Sequence, residues 1–178
     1  EGEGTVASGT KGAHAEGGLT IASGSGSHAE GIGSIASNDS AHAEGSYTIA
    51  SGNNSHAEGS GTISSGNTCH AEGIDTIAGG SGSHAEGRST FASGESNHAE
   101  GIGTQSIGKG GCHAEGQGTI SSGLESHAEG RNTTASGNYG AHAEGRDTIA
   151  SGDSSHAEGN GSIASNDSAH AEGRNTTA

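Results

Sequence analysis

The sequence predicts an all-β fold: a parallel β-solenoid, or β-roll, in which each coil contributes two short strands. Three observations predict it: a motif that returns about every fourteen residues, strand-like alternation within that motif, and a composition dominated by small residues. Only 26% of the 178 residues are hydrophobic and 37 are glycine, so large buried side chains cannot hold the chain together. Each coil must therefore be stabilised by stacking on its neighbours.

The repeat joins two five-residue words. The first is a small residue followed by His-Ala-Glu-Gly, and the second, half a period later, is usually Thr-Ile-Ala-Ser-Gly. Nine of the eleven spacings between successive histidines are 14 residues and two are 15. The extra residues precede His113 and His142, in the segments GKGGC and GNYGA, which we expect to be turns that absorb an insertion without moving the strands.

Alternation divides the side chains of each word between two faces. In the first word, Ser27 and Ala29 are expected to point into the coil, whereas His28 and Glu30 point outwards. In the second word the same rule puts threonine and alanine inside and isoleucine and serine outside. The variant GTQSIG preserves the rule, because its glutamine and isoleucine exchange positions but stay on one face. Small inward side chains let the two strands of a coil approach closely.

The glycine that closes each word is expected to end a strand where the chain turns. Asn38 and Asn166 replace this glycine in two coils. Glycine and asparagine are the residues that best tolerate positive φ, so we expect a left-handed backbone at these positions.

Stacking of the coils predicts two outward ladders, one of histidine with glutamate and one of isoleucine. An apolar stripe of this length is too large to leave in water, so we expect it to pack between chains, with a groove for a host ligand as the alternative. The histidines assigned to these interface ladders are His14, His28, His42, His56, His70, His84, His98, His113, His127, His142, His156 and His170. The other assigned positions are Glu16, Glu30, Glu44, Glu58, Ile21, Ile35, Ile49, Ile63 and Ile77.

Composition and alternation exclude several classes of function. A formal charge of −15 with only six lysines and arginines argues against a nucleic-acid partner, and no apolar run is long enough for a membrane helix. Alternation points Ser27 away from His28 and Cys69 away from His70, so neither pair can form a nucleophile with its base. We therefore expect no catalytic residues and no enzyme. Cys112 shares the inward position of Cys69 three coils away, too far for a disulfide.

Histidine and glutamate are also metal ligands, so the outward ladder has two interpretations. The favoured one is a hydrogen-bonded His–Glu network without a cofactor. The alternative is a metal ion held by stacked histidines, with His28, His42, His56, His70 and His84 as candidates. In the network, stacked glutamates repel one another and protonated histidines relieve the repulsion, so we expect histidine pKa values above the usual value of about 6.5.

Both words fit the pattern S-x-A-x-G, as in SHAEGSGTISSGNTCHAEG and SHAEGRSTFASGESNHAEG. This pattern resembles the YadA-like head repeat of trimeric autotransporter adhesins. The resemblance implies a left-handed roll, a homotrimeric rod, and an extracellular position on a bacterial surface with a host-surface or matrix ligand. Similar HAEG repeats resemble those of phage tail fibres and of Gram-positive surface proteins. A phage tail fibre shaft and a metal-binding or pH-responsive filament are therefore the alternatives to an adhesin segment.

The same resemblance leaves open which ladder faces the trimer axis. By the family pattern, isoleucine with serine forms the inner pair; constancy within this chain favours the reverse. His-Ala-Glu is identical in twelve coils, whereas the isoleucine position changes to Val6, Phe91, Gln105, Thr134 and Thr177. We also expect residues 1–178 to form a single repeat domain of about 12 to 13 coils, a segment of a longer fibrous protein.

Overall fold

The computed structural model describes residues 2–178, and within that range the chain is all β with no helix. It comprises about 12 coils of about 14 residues, so the predicted parallel β-solenoid is confirmed. The chain divides into two compact units, Glu1–Ser89 and Thr90–Ala178, which share one local architecture. Each coil has a longer strand that begins at the histidine and a two-residue strand that begins at the isoleucine position.

In the first unit the strands are β1 (Gly2–Glu3), β2 (Val6–Ala7), β3 (His14–Gly18), β4 (Ile21–Ala22), β5 (His28–Ile32), β6 (Ile35–Ala36), β7 (His42–Ser46), β8 (Ile49–Ala50), β9 (His56–Ser60), β10 (Ile63–Ser64), β11 (His70–Ile74), β12 (Ile77–Ala78) and β13 (His84–Arg88). In the second unit they are β14 (Phe91–Ala92), β15 (His98–Ile102), β16 (Gln105–Ser106), β17 (His113–Gln117), β18 (Ile120–Ser121), β19 (His127–Arg131), β20 (Thr134–Ala135), β21 (His142–Arg146), β22 (Ile149–Ala150), β23 (His156–Asn160), β24 (Ile163–Ala164) and β25 (His170–Arg174).

Two parallel sheets form the walls of each unit. Odd-numbered strands pair in sequence to give one sheet, and even-numbered strands pair in sequence to give the other. Within each unit, strand residues pair with their equivalents one coil away, as His28 does with His42. The register is unbroken across the 15-residue spacing, because His127 pairs with His142. The prediction that the turns absorb the insertions is confirmed.

The interior is a column of small side chains, as alternation predicts. Ser27 and Ala29 are buried at 1% and 0% exposure, whereas their neighbours His28 and Glu30 face outwards. The buried alanines of the first unit include Ala15, Ala22, Ala29, Ala36, Ala41, Ala43, Ala50 and Ala57. Those of the second include Ala128, Ala135, Ala141, Ala143, Ala150, Ala157, Ala164 and Ala171.

Backbone hydrogen bonds between coils stabilise the stack, because the small alanine side chains bury too little apolar surface to do so alone. Ile35 donates its N–H to the Thr48 carbonyl at 2.8 Å, and His28 donates to the Ala41 carbonyl at 2.9 Å. Such bonds recur along both sheets and between the turns. Because each contributes only about 0.5–1.5 kcal/mol net, stability depends on their number and therefore on an uninterrupted stack.

The variant coil at the start of the second unit confirms the exchange of outward side chains. Gln105 and Ile107 both face solvent, while Ser106 between them is fully buried. The strand keeps its register, with Gln105 paired to Ile120.

The expected role of the glycines is wrong in two respects. The first-word glycine does not end its strand: Gly31 lies within β5, at φ 107°. A Cβ there would lie 1.9 Å from the Gly45 carbonyl oxygen, so glycine is required by close approach of the next coil. The residue that closes the second word does not have a positive φ in the three coils where it is Gly24, Asn38 or Asn166. Asn38 fits there because its Nδ2 donates to the Ser51 carbonyl one coil away, not because of left-handed backbone.

Left-handed residues lie two positions after the first-word glycine, where glycine, asparagine or aspartate is usual, as in Gly33, Asp75 and Asn132, but a large side chain also occurs. Leu19 and Tyr47, each two residues after a first-word glycine, have φ of 57° and 54°. Their sequence gives no turn signal, since neither is glycine, asparagine or aspartate. The Tyr47 ring lies over Gly33 of the preceding coil, where a Cβ would be 2.8 Å from its Cδ1.

A second turn contains a ladder of side-chain acceptors that we did not predict. The Asp39 carboxylate accepts from the Ser25 N–H at 3.0 Å, and Asn67 accepts from the Asn53 N–H at 3.1 Å. These residues fall at the variable positions after the second word, where Asp39, Asn53 and Asn67 recur every 14 residues, a sequence signal that could have predicted the ladder.

Candidate functional site

Two outward surfaces carry the chemistry of each unit. The His–Glu wall comprises the histidines and glutamates of the odd-numbered strands, from β3 to β13 in the first unit and from β15 to β25 in the second. The isoleucine wall comprises the outward residues of the even-numbered strands, from β2 to β12 in the first unit and from β14 to β24 in the second. Register stacks histidine on histidine and glutamate on glutamate along the first wall, as the pairs His70–His84 and Glu72–Glu86 illustrate.

The imidazole rings form a continuous stack within each unit. Centroids of neighbouring rings lie 4.7–5.0 Å apart from His14 to His84. They lie 4.6–4.9 Å apart from His98 to His170, with ring planes within 16° except for a 35° tilt between His113 and His127. Each histidine therefore has other histidines as its nearest ring neighbours.

Most of the histidines also lie within 4.0 Å of the glutamate of their own strand. The separation between Nε2 and Oε2 is 3.3 Å in His14–Glu16 and 3.4 Å in His70–Glu72, where hydrogen-bond geometry is met. It is 3.8 Å for the histidine and glutamate of β19, an ion-pair distance without a hydrogen bond. These side chains are partly exposed, so each pair contributes little to stability in water.

The expectation of raised histidine pKa values is wrong for three members of the wall. Burial lowers the pKa values of His56, His127 and His142, and the neighbouring imidazoles lower them further. The adjacent glutamates act in the opposite sense but more weakly. Burial is the main cause of the lowered pKa values, and in-register stacking adds to it because each ring faces other rings that would carry the same charge.

The isoleucine wall differs between the two units. In the first, outward side chains run without interruption from Val6 through Ile21 to Ile77. In the second, Gln105 and Thr134 interrupt the apolar run. The members of the isoleucine wall are partly exposed, with Val6 48% and Ile21 37% exposed.

A third exposed apolar surface was missed by sequence reasoning. Leu19, Ile32 and Tyr47 lie at the corner after the longer strands, and are 65%, 57% and 66% exposed. Leu19 and Ile32 line a shallow pocket with Glu3 and Gly18. These residues occupy the variable positions between the two words, so the repeat pattern gives them no role.

Two clusters of metal-type donors occur in the part of the chain that the structure describes. In each, one donor atom from each of three residues lies within 4.8 Å of the others. The clusters are His127, Glu129 and His142, and Glu144, His156 and Glu158. The five histidines expected from the sequence belong to neither cluster.

Side-chain orientation separates the small polar residues from the histidines, as predicted. The Ser27 hydroxyl donates to the Gly24 carbonyl at 2.8 Å inside the coil. Cys69 is a free, buried thiol whose Sγ donates to the Gly66 carbonyl at 2.8 Å, and burial raises its pKa. Cys112 is likewise free and buried. These groups are packing elements of the interior.

Coils of about fourteen residues, two parallel sheets and constant outward walls define a repeat β-solenoid with its side-chain chemistry on the surface. A family model described as the YadA head domain repeat matches residues 15–37, 43–68, 114–139 and 143–165, which make up more than half of the chain. The chain belongs to the YadA head repeat family, as the resemblance of its words indicates. This is an adhesin repeat family and not an enzyme family.

A search of curated proteins found no match to the chain. Across residues 2–178, no helix is long and apolar enough to cross a membrane.

Proposed function

We propose that residues 1–178 form one repeat domain of a longer fibrous protein, a structural and adhesive segment of a homotrimeric, left-handed β-roll on a bacterial surface. Membership of an adhesin repeat family supports the class of function. The main support for a trimer is the uninterrupted apolar wall of the first unit, from Val6 to Ile77, which a single chain leaves partly exposed. Contiguous apolar surface of this kind is typical of interfaces between chains.

In this proposal the His–Glu wall lines the three-fold axis. Support comes from its constancy, since every coil from His14 to His170 keeps His-Ala-Glu while the isoleucine position varies. Charged groups at an axis lose water, so each histidine would have to pair with glutamates of the sister chains as well as its own. The isoleucine wall then packs at side contacts between neighbouring chains, with a groove for a host-surface or matrix ligand as the alternative.

Sedimentation equilibrium of the full chain tests the assembly. The expected result is a species of about three times the 16.9 kDa chain mass that persists on dilution. A stable monomer would overturn the trimer.

Two cysteine variants test which wall faces the axis. His42→Cys places thiols on the His–Glu wall, and Ile49→Cys places them on the isoleucine wall of the same unit. Both positions are outward and half-buried, which makes the variants a matched pair. We expect rapid disulfide-linked dimers within the trimer for His42→Cys alone, because only thiols close to the axis meet. Crosslinking of Ile49→Cys alone would assign the axis to the isoleucine wall.

A further inference from the structure

We propose that His127, Glu129 and His142 form a binding site for a divalent transition metal of the zinc class. Their donor atoms, two imidazole nitrogens and one carboxylate oxygen, all lie within 4.8 Å of one another. This site adds a ligand to the fibre.

The topology brings these donors together on one side of the sheet. His127 and Glu129 are two residues apart on β19, so both project outwards. His142 begins β21 and pairs directly with His127 in parallel register. The two ring centroids lie 4.7 Å apart, and the His127 Nε2 lies 3.8 Å from the Glu129 Oε2. Two ligands from one strand and one from its neighbour form the three corners of the candidate site.

Both imidazole donors have an unused nitrogen. The Nε2 atoms of His127 and His142 are shielded from solvent and have no hydrogen-bond partner. Nε2 is likewise without a hydrogen bond in His42, His56 and His113, so the convergence of three donors distinguishes this site from those positions of the wall. A shielded polar atom without a partner is unusual in a folded protein, and coordination to a metal would satisfy it.

The donor set selects the class of ion. Imidazole with carboxylate suits zinc and related transition metals, whereas calcium and magnesium require all-oxygen sites. Zinc bonds of about 2.1 Å place tetrahedral donors roughly 3.4 Å apart, so the side chains would close by about 1 Å. Side chains on the outer wall can make this adjustment by rotation without moving the strands. Water would supply the fourth donor, because Glu144, which pairs with Glu129 in the register, belongs to the second cluster.

Zinc titration of the full chain by calorimetry tests the site, with Co²⁺ absorption as a spectroscopic check of tetrahedral coordination. The site variant is His127→Asn/His142→Asn, and its matched control is His28→Asn/His42→Asn. The control pair stacks at 4.8 Å on the same wall but belongs to no three-donor cluster. We expect the site variant to lose the tightest class of zinc sites, with affinity at least about tenfold weaker, and the control to keep it.

Thermal melting of each variant without metal separates binding from folding. Zinc is expected to raise the melting temperature of the wild type and of the control more than that of the site variant. If the double asparagine variant does not fold, the zinc affinity of Glu129→Gln tests the site instead, since this change removes one donor and leaves the histidine stack in place. Equal loss of binding in site and control variants, no zinc binding by the wild type, or unchanged affinity in Glu129→Gln would each overturn the proposal.

Discussion

The imidazole rings of His42 and His56 stack with their centroids 4.7 Å apart and their planes 11° apart. The arrangement follows from the parallel register, which sets every residue over its own equivalent. In a repeat this regular, like groups face like groups along the fibre direction of each sheet. The wall therefore behaves electrostatically as a column of histidines beside a column of glutamates, and not as an alternating array of charges.

The first prediction is that acidification destabilises the fold through His56. Burial and the imidazoles of His42 and His70 lower its folded-state pKa, so the unfolded chain binds the proton more readily. The stabilisation is fully present above the unfolded pKa of about 6.5 and is lost as pH falls through the lowered folded value. We expect the melting temperature to fall between about pH 7 and pH 5, and the fall to be smaller in His56→Gln. Calorimetry at fixed chain concentration measures both slopes, and a melting temperature that rises on acidification would contradict the prediction.

The second prediction separates two roles of glycine in the second unit. Gly145 has φ 108°, and a Cβ there would lie 2.2 Å from the Gly159 carbonyl oxygen. Gly140 has φ 77°, and a Cβ there would meet nothing within 4 Å. Gly140→Ala should therefore cost only the left-handed backbone penalty of about 1–2 kcal/mol. Gly145→Ala should prevent the coils from stacking and abolish the cooperative transition measured by circular dichroism. Similar melting curves for the two variants would contradict the steric argument.

The third prediction concerns the ladder of side-chain acceptors in the turns. Asp153 accepts from both the backbone N–H and the Nδ2 of Asn138, at 2.9 and 3.1 Å. Asp153→Ala removes both bonds and should lower the free energy of unfolding by about 1–2 kcal/mol in urea denaturation. Asp153→Asn retains an acceptor oxygen and is the matched control, with an expected loss well below that of alanine. Equal losses would show that the carboxylate charge, and not the hydrogen bond, stabilises the turn.

The fold was predictable because the repeat makes alternation visible. A period of two along each word placed Ser27 and Ala29 inside and His28 outside, and twelve repetitions gave the register between coils. The turn at Leu19 was not predictable, since leucine has no preference for positive φ, whereas the glycines, aspartates and asparagines at equivalent positions, such as Gly33, do carry a turn signal. Its conformation is imposed by the coils on either side, which is information that a propensity argument lacks.

The chemistry of the site was only partly predictable, because it too depends on contacts between neighbouring coils. Sequence spacing placed histidine and glutamate on one wall, but the assumed relief of glutamate repulsion gave the wrong sign for the pKa of His56. The sign depends on which group is closest in space and on how deeply each ring is covered. Likewise, the three-donor cluster at His127 depends on side-chain positions that vary between coils with identical words.

The last prediction concerns the threonines that line the interior. The Thr62 hydroxyl is fully buried with no hydrogen-bond partner, whereas Ser34 at the equivalent position donates to the Gly45 carbonyl at 3.1 Å. A buried hydroxyl without a partner costs about 1–3 kcal/mol, so the isosteric change Thr62→Val should leave stability unchanged or raise it by about 1 kcal/mol. Ser34→Ala removes a bonded hydroxyl and should lower stability by about 1 kcal/mol. Urea denaturation of both variants measures the difference. Destabilisation of Thr62→Val comparable to that of Ser34→Ala would mean that the threonine hydroxyl is bonded in solution, and that the interior of the coil holds water beside it.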